Sequence, residues 1–218
     1  MREYLILRLQ GVMQSWGGHT YEDYRPSSLF PSRSGLIGLL AACLGIDRQD
    51  NARQQALSDS FIFAVRSDES KHPVRKVIDF HTVMDARKVD GTVNKNPVVS
   101  RREYLYDICF TVAMQFREGA CFSLEAVKKD IQCPVYTPFL GRRSCPLGQP
   151  LFHSVVSANS LLAALSMIEP KRGTVYSEEA EGSSNRLVMR DMPLFTGKRQ
   201  FSTRSVFIHA QGGQDALK

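Results

Sequence analysis

Residues 32–46, SRSGLIGLLAACLGI, decide how the rest of the chain is read. Pro31 and the serines mark a helix start, and Leu36, Leu39, Leu40 and Cys43 fall on one face at helical spacing. Gly45 is a natural C-terminal cap. Gly35 and Gly38 are poor helix formers, so their expected use is close packing against a sheet. The flanks supply that sheet. Upstream, YLILRLQG (4–11) alternates Leu5, Leu7 and Leu9, broken only by Ile6, and reads as a strand. Downstream, after a short helix at 51–58, FIFAVRSD (61–68) reads as a second strand.

Beyond residue 68 the periodicity lapses. The segment to about residue 103 is basic, with a turn signal at Asp90-Gly91, and reads as an extended hairpin or arm between strands. YLYDICFTVAMQF (104–116) resumes strand patterning. FSLEAVKKDIQ (122–132) is an amphipathic helix that Ser123 can cap. YTPFLGRRSCPLGQP (136–150) leads into a fourth strand, and SANSLLAALSMI (157–168) is a further helix. Short strands around a polar loop complete the chain. The order is β-α-β-β-α-β. It predicts an α+β, ferredoxin-like (RNA-recognition-like) domain with a long thumb hairpin and a small C-terminal β-rich part. The expected division is a domain over 1–155, with the thumb at about 71–103, and a C-terminal helix and short-strand region over 156–218 packed on it.

The 218 residues are 43% hydrophobic and 23% charged, enough for one sizeable core, and carry a formal net charge of +6. That balance favours polyanionic partners where the charge is clustered. The apolar start, MREYLILRLQG, is broken by Arg8 and Gln10 and does not read as a signal peptide. No apolar run approaches the roughly 20 residues of a membrane span. A cytoplasmic protein without a membrane role is expected. Cys43, Cys109, Cys121, Cys133 and Cys145 include no C-x-x-C pair, so reduced, mostly buried thiols are expected rather than zinc ligands.

Four arrangements could carry chemistry. His19, His72, His81, His153 and His209 share no ligand spacing, which leaves no local metal signature. A metal-free ribonuclease needs only a general acid and base, which His81 with Lys76, Tyr104 or Tyr21 could supply. The helix start FPSRSG offers free N–H groups, a positive dipole end and Arg33, which suit a phosphate or, equally, a plainly capped helix. The arm gathers Lys71, Arg75, Lys76, Arg87, Lys88, Lys95, Arg101 and Arg102 with interleaved rings, a pattern suited to single-stranded nucleic acid or to a solvated hairpin. Arg142-Arg143 sits beside Gly141, which lets a backbone approach closely. On a regular strand only one of these arginines could face a ligand; a loop would free both.

Four stretches together, MREYLILRLQGVMQSWG, RPSSLFPSRSGLIGLLAACLGI, SRREYLYD and YTPFLGRRSCPLGQPLF, closely resemble the CasD family. These are the subunits of type I-E CRISPR Cascade complexes that hold the guide RNA's 5′ handle. The resemblance covers residues 1 to about 155, with echoes at YSEE (176–179) and RQFSTR (199–204); residues 71–100 diverge. It implies a non-catalytic role in antiviral defence: gripping the 5′ handle of CRISPR RNA, capping the filament of CasC backbone subunits and abutting the large subunit CasA, near target DNA. It implies no cofactor, metal or catalytic residue. In related type I-C systems the corresponding subunit cuts precursor RNA, so a metal-independent endoribonuclease is the alternative. Carried onto this chain, the resemblance places Met13, Gln14 and Trp16 near the handle. Arg25, Arg33 and Ser34 would meet phosphates or base edges, Arg102 and Tyr104 would sit at the thumb's base, and Arg142 and Arg143 would clamp the handle. Val83 and Met84 would be an apolar wedge near the thumb tip.

Overall fold

The structure is a computed structural model that describes residues 1–70, 74–196 and 199–211. Lys71, the first cation of the expected arm, and His72 lie outside the described residues. Strand β1 (Arg2–Gln10) runs into a loop carrying four two-residue strands, β2 (Met13–Gln14), β3 (Trp16–Gly17), β4 (Tyr24–Arg25) and β5 (Ser27–Ser28). Helices α1 (Arg33–Cys43) and α2 (Asn51–Asp59) precede β6 (Phe61–Asp68). Strands β7 (Arg75–Val83) and β8 (Val98–Tyr106) form the hairpin, followed by β9 (Cys109–Phe116), α3 (Leu124–Gln132) and β10 (Phe152–Ala158). Helix α4 (Leu161–Ser166) and strands β11 (Gly173–Ser177), β12 (Arg186–Phe195) and β13 (Arg199–Gln211) follow.

The main sheet has seven strands in the order β10-β1-β9-β6-β11-β13-β12. Every neighbouring pair is antiparallel. Leu5, Leu7 and Leu9 join α1 and α3 in the larger core, while Tyr4 and Ile6 join a smaller core with Leu161, Ala164 and Leu165 of α4. Both faces of β1 are therefore covered, which is why Ile6 breaks the apolar alternation. Leu36, Ile37, Leu39 and Leu40 of α1 are all buried. Each such side chain contributes roughly 1.5–3 kcal/mol by leaving water. Ser32 caps α1 by accepting from Gly35 N, and Ser123 caps α3 by accepting from Ala126 N. A Cβ on Gly35 would lie 3.0 Å from the Trp16 ring, so this glycine packs against an indole; Gly38 faces open space.

Four sequence expectations need correction. The strand expected over 104–116 breaks at Asp107, whose φ of 56° turns the chain out of the hairpin and into the main sheet. The helix expected over 157–168 is shorter, because Ser157 and Ala158 continue β10 by pairing with Glu3 and Arg2. Ser160 then caps α4. Of the C-terminal strands only β11 is short, with 5 residues; β12 and β13 have 10 and 13. They belong to the main sheet through the β11–β6 pairing. All five cysteines are free thiols, but only Cys43 and Cys145 are buried, and Cys121 and Cys133 are exposed.

A smaller sheet stands beside the main one. Its order is β2-β8-β4, with β7 paired to β8. Every residue of β7 is exposed, so the hairpin projects. Among the described residues, no helix is long and apolar enough to cross a membrane.

Candidate nucleic-acid interface

The loop before β10 is held shut by its own backbone. Leu140 N donates to Cys145 O and Cys145 N donates to Arg142 O, both at 2.8 Å, around the buried Leu140 and Cys145 side chains. Gly141 has φ +84°, and a Cβ there would lie 1.9 Å from Ser15 O. Only glycine allows this approach. Ser15 N donates to Leu140 O at 3.1 Å, so the loop is fixed against the segment after β1.

The two arginines of this loop have different roles. Arg142 donates to Glu103 O at 3.1 Å and to Arg25 O at 2.9 Å. Its guanidinium lies over the Tyr104 ring, 4.9 Å from the centroid. Arg143 is exposed, and its side chain has no hydrogen bond or ion pair with the described residues. A loop frees both arginines in principle, but here one pins the loop and the other has no partner among the described residues.

Glu103, which the sequence reading did not single out, joins the pieces. It is 7% exposed. Its carboxylate accepts from Tyr24 Oη, from Ser27 N at 2.9 Å and from Lys76 Nζ at 3.3 Å. Its carbonyl accepts from Ser15 Oγ at 2.9 Å as well as from Arg142. Burial alone would raise its pKa. The hydrogen bonds from Tyr24, Ser27 and Lys76, with the Lys76 charge, outweigh burial and hold the group below the ordinary carboxylate value. A single acid inside SRREY is the only local signal for it.

The hairpin register sorts its residues by face. Arg75 pairs with Tyr106, Val77 with Tyr104, Asp79 with Arg102, His81 with Ser100 and Val83 with Val98. Residues paired across an antiparallel ladder share a face, and alternate pairs share the same one. Tyr104 Oη lies 3.4 Å from Ser144 Oγ. The Arg75–Val77–His81–Arg102 face therefore lies on the side of the Arg143 loop. Lys76, Ile78 and Phe80 take the opposite face. Val83 and Met84 are exposed where the ladder ends. A second small turn lies beyond them, closed by Lys88 N to Thr92 O and Asn94 N to Ala86 O, both 2.8 Å, with Val89 exposed in it.

Several expected contact residues point into the protein. Gln14 is fully buried and donates from Nε2 to Leu9 O and Ile108 O; its Oε1 accepts from the equally buried Trp16 Nε1. Met13 packs half-buried against the larger core. Arg25 bonds the carbonyls of Glu22 and Tyr24, and Arg102 bonds Ser100 Oγ. Ser34 lies 3.3 Å from Ser32. Arg33 is 2% exposed, paired with Glu178 and bonded to the carbonyls of Ser58 and Phe61. The anion expected at the start of α1 is supplied by the chain itself. Asp191 accepts from Arg33 N at 2.8 Å and is gripped by Arg204 through two hydrogen bonds. Local sequence could not show this, because Asp191 is 158 residues away.

The fold is a mixed α/β arrangement of antiparallel sheets, and beside its projecting hairpin a fixed loop presents one free arginine. Residues 4–207 match the family model "CRISPR-associated protein (Cas_Cas5)", and the chain belongs to that family. It is 46% identical over 222 aligned residues to the CRISPR system Cascade subunit CasD of Escherichia coli (strain K12), covering 99% of both chains. Among solved structures it resembles a chain of a CRISPR RNA-guided surveillance complex, with a TM-score of 0.73, 29% identity and coverage of 95% of this chain and 90% of that one. A crystal structure of a Cas protein matches with a TM-score of 0.67 and 26% identity, over 95% and 94% of the two chains.

Proposed function

We propose that this protein is a non-catalytic subunit of a type I-E Cascade complex that grips the 5′ handle of the guide RNA and caps the backbone filament. The 46% identity over 99% of a Cascade CasD subunit supports this reading. The observation that carries the RNA contact is the free Arg143 on a loop held rigid by Gly141 and Arg142, on the same side as Arg75 and Arg102 of the hairpin. Planar donors at a fixed position suit phosphates. The order fourth-first-third-second of strands β10, β1, β9 and β6 supports reading the core as ferredoxin-like. Residues 1–155 would be that core with its thumb, and 156–218 the appended C-terminal region. Val83 and Met84 would act as the apolar wedge of the thumb. The complementary partners are the backbone subunit CasC and the large subunit CasA, with target DNA nearby, in a prokaryotic cytoplasm.

The endoribonuclease reading finds less support. His81 and Lys76 are five residues apart on one strand, so they lie on opposite faces and roughly 16 Å apart along it. His81 instead lies 3.6 Å from Asp79, and Lys76 is engaged by Glu103. The test is to incubate the complete complex and the purified chain with labelled repeat RNA, with and without chelator. Retention of intact RNA is expected. Specific cleavage lost in His81→Ala would overturn the non-catalytic reading.

A further inference from the structure

We propose that Glu103, an acidic residue, is a positioning residue for RNA binding: it holds the hairpin cations and the Arg143 loop in one register, so that removing its charge weakens RNA binding. The inference rests on the RNA-binding reading above. Three segments converge on this residue. Through its carboxylate, Tyr24 and Ser27 N fix the loop after β1, and Lys76 fixes β7. Through its carbonyl, Arg142 and Ser15 fix the loop that carries Arg143. Arg142 closes the circuit by also bonding Arg25 O. Residues 24–27, β7, β8 and the Arg143 loop are thus joined at one residue.

The position of its carboxylate separates this role from a direct one. Glu103 pairs with Ile78, so its side chain leaves β8 on the face opposite Tyr104 and Arg102. It is buried under Lys76 and Tyr24, on the face away from Arg75 and Arg102. A plain electrostatic account makes Glu103 mildly repulsive to RNA, so neutralising it would leave affinity unchanged or raise it. Positioning gives the opposite sign. Gln keeps the shape and the backbone carbonyl but cannot accept three donors with a carboxylate's strength, so Lys76 and residues 24–27 lose their common anchor, and with them shifts Arg25 O, which holds Arg142 and its loop.

The experiment measures binding of a short labelled single-stranded RNA cut from the CRISPR repeat, by full-length Glu103→Gln, across a salt series. Weaker binding, by about tenfold, and a shallower salt slope are expected, with roughly 0.7 lost per phosphate contact forfeited. Because the substitution removes no cation, a shallower slope can come only from cations moved out of reach. Unchanged or tighter binding, or an unchanged slope, overturns the proposal. If Glu103→Gln does not fold, Tyr24→Phe, which removes one donor and no charge, is judged by the same criteria. Arg143→Ala is run beside it: loss of affinity there with none in Glu103→Gln sinks the positioning role alone, whereas no loss in either sinks the RNA-binding reading.

Discussion

Arg142 and Arg143 are adjacent in the chain and divided in what they touch. Arg142 spends its guanidinium on Glu103 O, Arg25 O and the Tyr104 ring, while Arg143 stands exposed beside it. The two should separate cleanly on mutation. Arg143→Ala should leave the urea midpoint unchanged and reduce the salt slope of RNA binding by roughly 0.7 for one lost phosphate contact. Arg142→Ala should cost about 1–3 kcal/mol of stability, because two carbonyls lose charge-assisted donors, and should weaken RNA binding as well by loosening the loop. Equal effects of the two substitutions on stability would contradict the assignment.

Gly141 sets a harder limit on the same loop. Its φ of +84° disfavours any side chain, and a Cβ would collide with the backbone of Ser15 at 1.9 Å. A backbone carbonyl cannot swing aside as a side chain can. Gly141→Ala should therefore destabilise the protein by about 2 kcal/mol or more and detach the loop from the segment after β1. The denaturant midpoint gives the first result. Faster hydrogen exchange at Ser15 N, which bonds Leu140 O, gives the second.

What the sequence made legible was whatever depends on neighbours along the chain. The helix expected over 32–46 with serines at its start, and the strand over 61–68, follow from periodicity and capping chemistry; the helix is present over Arg33–Cys43 with Ser32 as its cap, and the strand over its full length. The break at Asp107 was hidden because strand residues continue on both sides of it; only its left-handed backbone reveals the turn. The site was legible as a set of cations, not as a division of labour among them. Arg33 and Arg143 look alike in sequence. One finds Glu178, 145 residues away, and the other finds no partner among the described residues. Buried Gln14 and Trp16 likewise satisfy each other, so their place in a shared motif reflects packing that shapes the loop.

Asp191 tests how the C-terminal strands are fastened. Its carboxylate accepts from the first N–H of α1 and from Nε and Nη2 of Arg204, whose Nη1 reaches Glu178 at 3.3 Å. Asp191→Ala would leave a helix N-terminus without its anion and Arg204 with only Glu178, which Arg33 already shares. Breaking one member of such a buried set costs about 3–5 kcal/mol. Limited proteolysis should then cut within β12 and β13 faster than in wild type, while the RNA salt slope of the surviving folded protein stays unchanged, since the hydrogen bonds of Asp191 go to neither the hairpin nor the Arg143 loop.

Acid should release the Glu103 junction. In the folded chain burial pushes this carboxyl's pKa up, but Tyr24, Ser27 and Lys76 together pull it below its ordinary value of 4.5. A group depressed in this way stabilises the fold at every pH above its unfolded value, and the contribution is lost as pH falls through the folded value. Wild type should therefore be more stable than Glu103→Gln at neutral pH. The gap should close below about pH 4.5, because the protonated wild-type carboxyl then resembles the amide. Urea midpoints of both proteins across the acid range measure this directly. A gap that stays constant through that range would mean that the Glu103 charge, as opposed to its shape, contributes nothing to holding the hairpin, the loop and the segment after β1 together.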